Sequence, residues 1–285
     1  MSSAVLTGLP RTVLRLHRSA LLAWTAFVVG MAGWLVWLNE VTAGDVRGAE
    51  RGCTRLGLCT DPLASLAYSK PFAWIGLLLC YSFLAVAAFA GGALVGREME
   101  SGTAELAWTQ GVTPARWLTA KLALPALAVV AGGAVLVPVY RWGWDANHDL
   151  TGDDWSLPAA FVARGPLMVA YGLCALAVGA LAAVLLRRTL AALGTAFATM
   201  WLVNALLARY RADLWPKETR TSAKGPDWPD GAWPLNWGRN AGGYFAVYQP
   251  ESHFWPLHLV ETGIVLALAA TATTAAYTVL RRRTA

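Results

Sequence analysis

The chain has 285 residues, 56% of them hydrophobic and only 14% charged, with a mean hydropathy of +0.46. Soluble domains carry roughly 25% charged residues, and a soluble fold of this size must show more polar surface to water than this composition supplies. Disorder, collagen and a disulfide-dense secreted scaffold are excluded on the same grounds, the four cysteines being too few for a framework, and an all-α polytopic membrane protein remains. The net charge is +6. In such a chain the placement of charges between spans matters more than their sum, so the basic balance is not evidence for a nucleic-acid partner.

Taken in chain order, residues 7–18 place Arg11, Arg15 and Arg18 on one helical face, with Leu9, Val13 and Leu16 roughly opposite. This suits either a short interfacial helix on anionic lipid or an ordinary basic anchor. The apolar run after Arg18 is long and no small-residue cleavage site follows it, so it reads as a retained signal anchor. A span needs about 20 mostly apolar residues. Six stretches qualify, at about 20–38, 72–95, 118–140, 162–186, 190–208 and 256–280, forming a single membrane domain over 1–285. Pro125 is expected to kink the third. The fourth and fifth are separated only by Arg187, Arg188 and Thr189, which predicts a tight helical hairpin.

Six spans put both termini on one side. That side holds Arg97, Arg116, Lys121, Arg187, Arg188 and Arg281 to Arg283 besides the N-terminal arginines, against three acids, Glu98, Glu100 and Glu105. The other twelve Lys and Arg are spread over much longer segments and matched by acids. The positive-inside rule therefore places both termini in the cytoplasm, and most of the 15 Trp then fall near the outer interface, where such rings settle.

The loop between spans two and three carries the most pattern. Thr103 is a candidate N-cap, Glu105 suits the helix dipole and Gly111 is a candidate stop, giving a helix of about two turns over Ala104 to Gln110. A helix so short is not stable alone in water and must dock on something. Thr113-Pro114 then restarts a helix with Thr as cap and Pro at the first position. A structured, solvated loop and a docking element both fit; Leu106 and Trp108 favour docking.

The run Arg97-Glu98-Met99-Glu100-Ser101-Gly102-Thr103-Ala104-Glu105-Leu106, followed by Pro114, Arg116, Trp117 and Lys121, resembles the first cytoplasmic loop of ABC-2 type transporter permeases. The six-span layout with cytoplasmic termini resembles that family too. The resemblance implies a multi-pass permease subunit of an ABC exporter of an amphiphile; the preponderance of Arg over Lys and the abundance of Ala suggest a GC-rich bacterial genome and so a bacterial plasma membrane. This loop would be its coupling helix, with Glu98, Glu100, Gly102, Thr103, Glu105, Leu106 and Trp108 as the coupling elements. It further implies a cytoplasmic ATP-binding subunit that binds ATP and Mg, and pairing with a second copy or a related permease. The permease itself would be no enzyme and hold no cofactor. The resemblance adds that such permeases often begin with a connecting helix like 7–18.

The alternatives have less support. Gly91 to Gly96 has phosphate-loop glycine spacing but is followed by Arg97 and Glu98 and ends a membrane span, so it reads as helix packing. A membrane-embedded enzyme needs a nucleophile–base pair, a metal site or paired acids, and the usual motifs are not found. An ion-coupled secondary transporter predicts charges inside several spans, whereas Glu261, three residues from His258 on span six, stands essentially alone. Cys53 and Cys59, in the first outer loop, are compatible with a disulfide, while Cys80 and Cys174 read as core thiols. Asp145, His148, Asp149, Asp153 and Asp154 lack metal-ligand spacing and read as an acidic outer loop, so no metal is expected. The 209–255 segment, rich in Trp and Pro, reads as an irregular lid on the outer leaflet or a contact surface.

Overall fold

A computed structural model describes residues 18–56, 62–152 and 154–284. The protein is 78% helical. Six helical segments are long and apolar enough to cross a membrane: Arg18–Ala49, Ser65–Glu100, Pro114–Thr151, Leu167–Leu186, Thr189–Asp213 and Glu251–Arg283. The helices are α1 (Arg18–Trp37), α2 (Ala43–Leu56), α3 (Pro62–Phe89), α4 (Gly96–Glu100), α5 (Thr103–Thr109), α6 (Pro114–Thr151), α7 (Pro158–Ala163), α8 (Leu167–Leu186), α9 (Thr189–Tyr210) and α10 (Phe254–Thr284). Arg11 and Arg15 lie outside the described residues, as do the side chains of Cys53 and Cys59; Arg18 opens α1 and is exposed.

α8 is the centre of the bundle. Its apolar window is 67% buried, against 17% for the first crossing and 22% for the fifth. The reason lies in its sequence: glycine and alanine at close spacing let neighbouring backbones approach, the usual device where lipid removes the hydrophobic drive between helices. A Cβ on Gly179 would lie 2.5 Å from the Ala90 Cβ and 2.8 Å from the Gly91 nitrogen. A Cβ on Gly91 would lie 2.7 Å from the Ala192 carbonyl oxygen. The glycines of the false phosphate loop thus pack α3 against α8 and α9, within a π turn at Ala90–Leu94. Gly179→Val is expected to destabilise the bundle by about 3 kcal/mol or more, because the clash is with backbone that has nowhere to go; unfolding of the purified protein in detergent measures it.

Three features of the third and fourth crossings differ from the expected ones. The Gly165-Pro166 pair breaks the helix, so the fourth crossing starts at Leu167 and the preceding turn is the separate α7. α6 runs for 38 residues, roughly 57 Å at 1.5 Å per residue, well beyond a hydrocarbon core of ~30 Å. Its break in helical dihedrals falls at Asn147 (φ −139°, ψ 25°) and not at Pro125. Polar pairing accounts for the position. Asn147 Nδ2 donates to Asn39 Oδ1 at 2.7 Å, which also accepts from Tyr68 Oη at 2.7 Å. Asn39 itself sits in the π turn Leu38–Thr42 that joins α1 to α2.

The segment after α9 is not irregular. It forms a three-stranded antiparallel sheet, β1 (Glu218–Ser222), β2 (Trp233–Asn240) and β3 (Gly243–Gln249), with β3 central. The β3 sequence Tyr244-Phe245-Ala246-Val247-Tyr248 has the aromatic and β-branched content of a strand, and Ala241-Gly242 forms the short link from β2. The register shifts between Pro234 and Asn236 on the edge strand β2, where a proline is tolerated. Gln249 ties the sheet to the bundle: its Nε2 donates to the Ala212 and Trp215 carbonyls, both at 3.0 Å.

Candidate functional site

Two polar constellations stand out, one at each end of the bundle. At the arginine-rich end, α3 leads through α4 and a left-handed Gly102 (φ 73°) into the seven-residue α5. The cap position is Gly102, not Thr103; the Thr103 hydroxyl turns toward Ser101 Oγ at 2.9 Å. A second positive-φ glycine, Gly111 (φ 87°), ends the turn, and the Thr113 hydroxyl accepts from the Arg116 amide to start α6.

All three acids of this loop bind within the protein. Glu98 forms an ion pair with Lys121, which is 4% exposed, and accepts from Trp117 Nε1 at 3.1 Å. Glu100 Oε2 accepts the Thr189 amide at 3.0 Å, capping the N-terminus of α9 from outside that helix. Glu105 pairs with Arg187 at 3.3 Å. Arg187 is itself in the left-handed region (φ 52°) at the hairpin between α8 and α9, a conformation that costs a non-glycine residue about 1 kcal/mol. Trp108 meets Trp117 edge-on at 5.9 Å. The loop is therefore strapped to α6 by Glu98 and to the α8–α9 turn by Glu100 and Glu105. Of the seven residues singled out, Leu106 is the large apolar one left outward, 59% exposed. Arg283 completes this end by donating to the Val184 carbonyl at 2.7 Å, at the last turn of α8.

At the tryptophan-rich end, His258 and Glu261 do share a buried face of α10, and neither is exposed at all. Glu261 is not alone. Arg211, 50 residues earlier in the 3₁₀ turn after α9, grips it with two donors, Nε to Oε2 at 2.7 Å and Nη2 to Oε1 at 3.1 Å. Tyr171 Oη of α8 adds a third bond at 2.9 Å. Arg211 is 1% exposed, and its guanidinium lies 4.1 Å from the Phe161 ring centre. His258 Nε2 accepts the Leu167 amide at 3.1 Å and so satisfies one orphan donor at the start of α8. Fully desolvated, bidentate and neutral in sum, the cluster joins the fourth, fifth and sixth crossings at one point.

In the 145–154 stretch, Asp149 pairs with Arg47 at 3.4 Å, and Asp145 with Arg141 at 3.7 Å and Arg164 at 3.9 Å, while Asp153 lies outside the described residues. Arg164 is stacked between Trp144 (4.6 Å) and Phe254 (4.5 Å), and its burial lowers its pKa from the ordinary arginine value. Cys80 and Cys174 are free and buried.

Six apolar crossings, five of them around a glycine-packed central one, with a short strapped helix at one end, define a multi-pass membrane protein of the transport-permease type. The family model described as "ABC-2 membrane transporter related" matches residues 25–211, more than half of the chain, and the protein belongs to that family. The matched range includes the α4–α5 loop and ends at Arg211, so the sheet and the sixth crossing lie beyond it. No curated protein and no solved structure matches the chain.

Proposed function

We propose that this permease is the membrane half of an ATP-driven exporter of an amphiphile, worked by a separate ATPase that docks on α5 from the cytoplasm. Family membership carries the reading. The exposed Leu106 on a helix braced from two sides supports it. A brace matters because a pushed element transmits force only if it moves with the spans it is tied to. ATP and Mg bind the partner, and two permease chains, identical or related, line one path. The excess of Lys and Arg at both termini and in the Arg187–Arg188 turn supports placing this end in the cytoplasm.

One experiment tests both side and partner. With Cys53 and Cys59 replaced by serine, Gln110→Cys is expected to resist a membrane-impermeant maleimide in intact cells, and Lys224→Cys to react. A tagged chain solubilised in mild detergent is expected to bring down an ATPase. Labelling of position 110 from outside, or purification without any ATPase, overturns the proposal. An ion-coupled carrier is the second reading, favoured by the buried Arg211–Glu261 pair. Substrate accumulation in vesicles driven by a proton gradient without ATP would select it.

A further inference from the structure

A groove of about 380 Å³ opens on the outer surface of the bundle between α3 and the start of α7. One wall is a single helical stripe at steps of four, three and four residues: Lys70, Trp74, Leu77 and Tyr81. The other is Leu157 and Pro158. The Cys80 thiol meets the Pro158 carbonyl at 3.6 Å, which fixes the two walls together. Trp74 is 60% exposed and Leu157 43%, so this side faces lipid and not the core.

Lys70 forms no ion pair or hydrogen bond with any described residue. It sits at the tryptophan-rich end, beside Tyr68, whose hydroxyl reaches Asn39 and the Gly143 carbonyl. From Lys70 to Tyr81 the stripe runs about 16 Å at 1.5 Å per residue, half of a ~30 Å hydrocarbon core. An ammonium with no partner among the described residues, at one end of an apolar channel about half as long as a hydrocarbon core, matches one kind of molecule.

We propose that this groove holds a single anionic phospholipid of the outer leaflet, its phosphate on Lys70 and one acyl chain along Trp74, Leu77 and Tyr81. The ammonium is a compact donor suited to a phosphate oxygen, and the tryptophan and tyrosine rings flank the chain at the interface depth they favour. The site does not depend on what the protein transports or on any ATPase.

The test is native mass spectrometry of the full chain released from nanodiscs of equimolar phosphatidylglycerol and phosphatidylcholine. The wild type is expected to retain phosphatidylglycerol in preference, and Lys70→Gln to lose that preference about five-fold, the worth of one lysine at an anionic surface. Ala73→Trp, which fills the floor of the groove, is expected to reduce retention of both lipids. Equal retention of the two lipids by the wild type, or an unchanged preference in Lys70→Gln, overturns the proposal. So does loss of a dimer peak in Ala73→Trp with lipid retention intact, which would make the groove a contact between copies. Lys70 is exposed and has no partner among the described residues, so its variant folds as the wild type does.

Discussion

Glu261→Gln is expected to destabilise the folded bundle by about 3–5 kcal/mol, the cost of leaving one charge of a buried pair without its partner. The residue left behind would be Arg211, 1% exposed and pressed on Phe161. A guanidinium, unlike a carboxylate, has no neutral form open to it in a protein interior. The opposite variant, Arg211→Met, leaves a carboxylate that escapes its desolvation by taking up a proton. Arg211→Met is therefore expected to cost less, and Tyr171, already 2.9 Å from Oε1, still holds the carboxyl in place. The double variant Arg211→Met with Glu261→Gln is expected to recover most of the lost stability, since removing both charges removes the desolvation that each imposes. Thermal unfolding of all three in one detergent settles the order. Equal losses in the two single variants would mean that the site is hydrated and that the asymmetry argument is wrong.

That cluster also marks where sequence reasoning stopped. Glu261 was legible because an acid among apolar residues is conspicuous, and His258 because it lies three residues before Glu261 and so on the same helical face. Arg211 was not, because it lies at the edge of a polar loop where an arginine is unremarkable. Only the fold brings it back 50 residues to Glu261. The six crossings were legible because 20-residue apolar runs have no other stable use, and the Arg187–Thr189 turn because it leaves no room for anything but a hairpin. The sheet was not, because its tryptophan and proline pairs suggested irregular chain. The strand signal was confined to Tyr244–Tyr248, one central strand whose partners, a polar β1 and a β2 broken up by Pro and Gly, are mostly exposed. The loop acids were legible as a group, but their partners inside the protein were not. Charges in a short loop usually face solvent or a partner, whereas Glu98, Glu100 and Glu105 are spent on Lys121, the Thr189 amide and Arg187.

This division of labour inside the loop makes the second large effect separable from stability. Leu106→Asp is expected to weaken ATPase association at least ten-fold, because a central apolar anchor of a small interface typically carries more than 1 kcal/mol and a carboxylate would have to be desolvated there. The side chain is 59% exposed, so the variant's own unfolding is expected to shift by no more than about 0.5 kcal/mol. Glu98→Gln should do the reverse. It removes the charge facing Lys121, buried to 4% exposure, which costs the fold about 1–3 kcal/mol. Its effect on association then comes only through a loosened α5. Glu105→Gln, whose pair with Arg187 is solvent-exposed on both sides, is expected to cost under 1 kcal/mol and to lower coupling more than binding, since it cuts the strap between α5 and the α8–α9 turn. Binding to the ATPase, ATP-dependent transport and thermal unfolding, measured on the three variants together, distinguish anchor from brace. If Leu106→Asp binds as the wild type does while Glu98→Gln does not, the contact surface is the acidic row and the outward leucine is only lipid-facing.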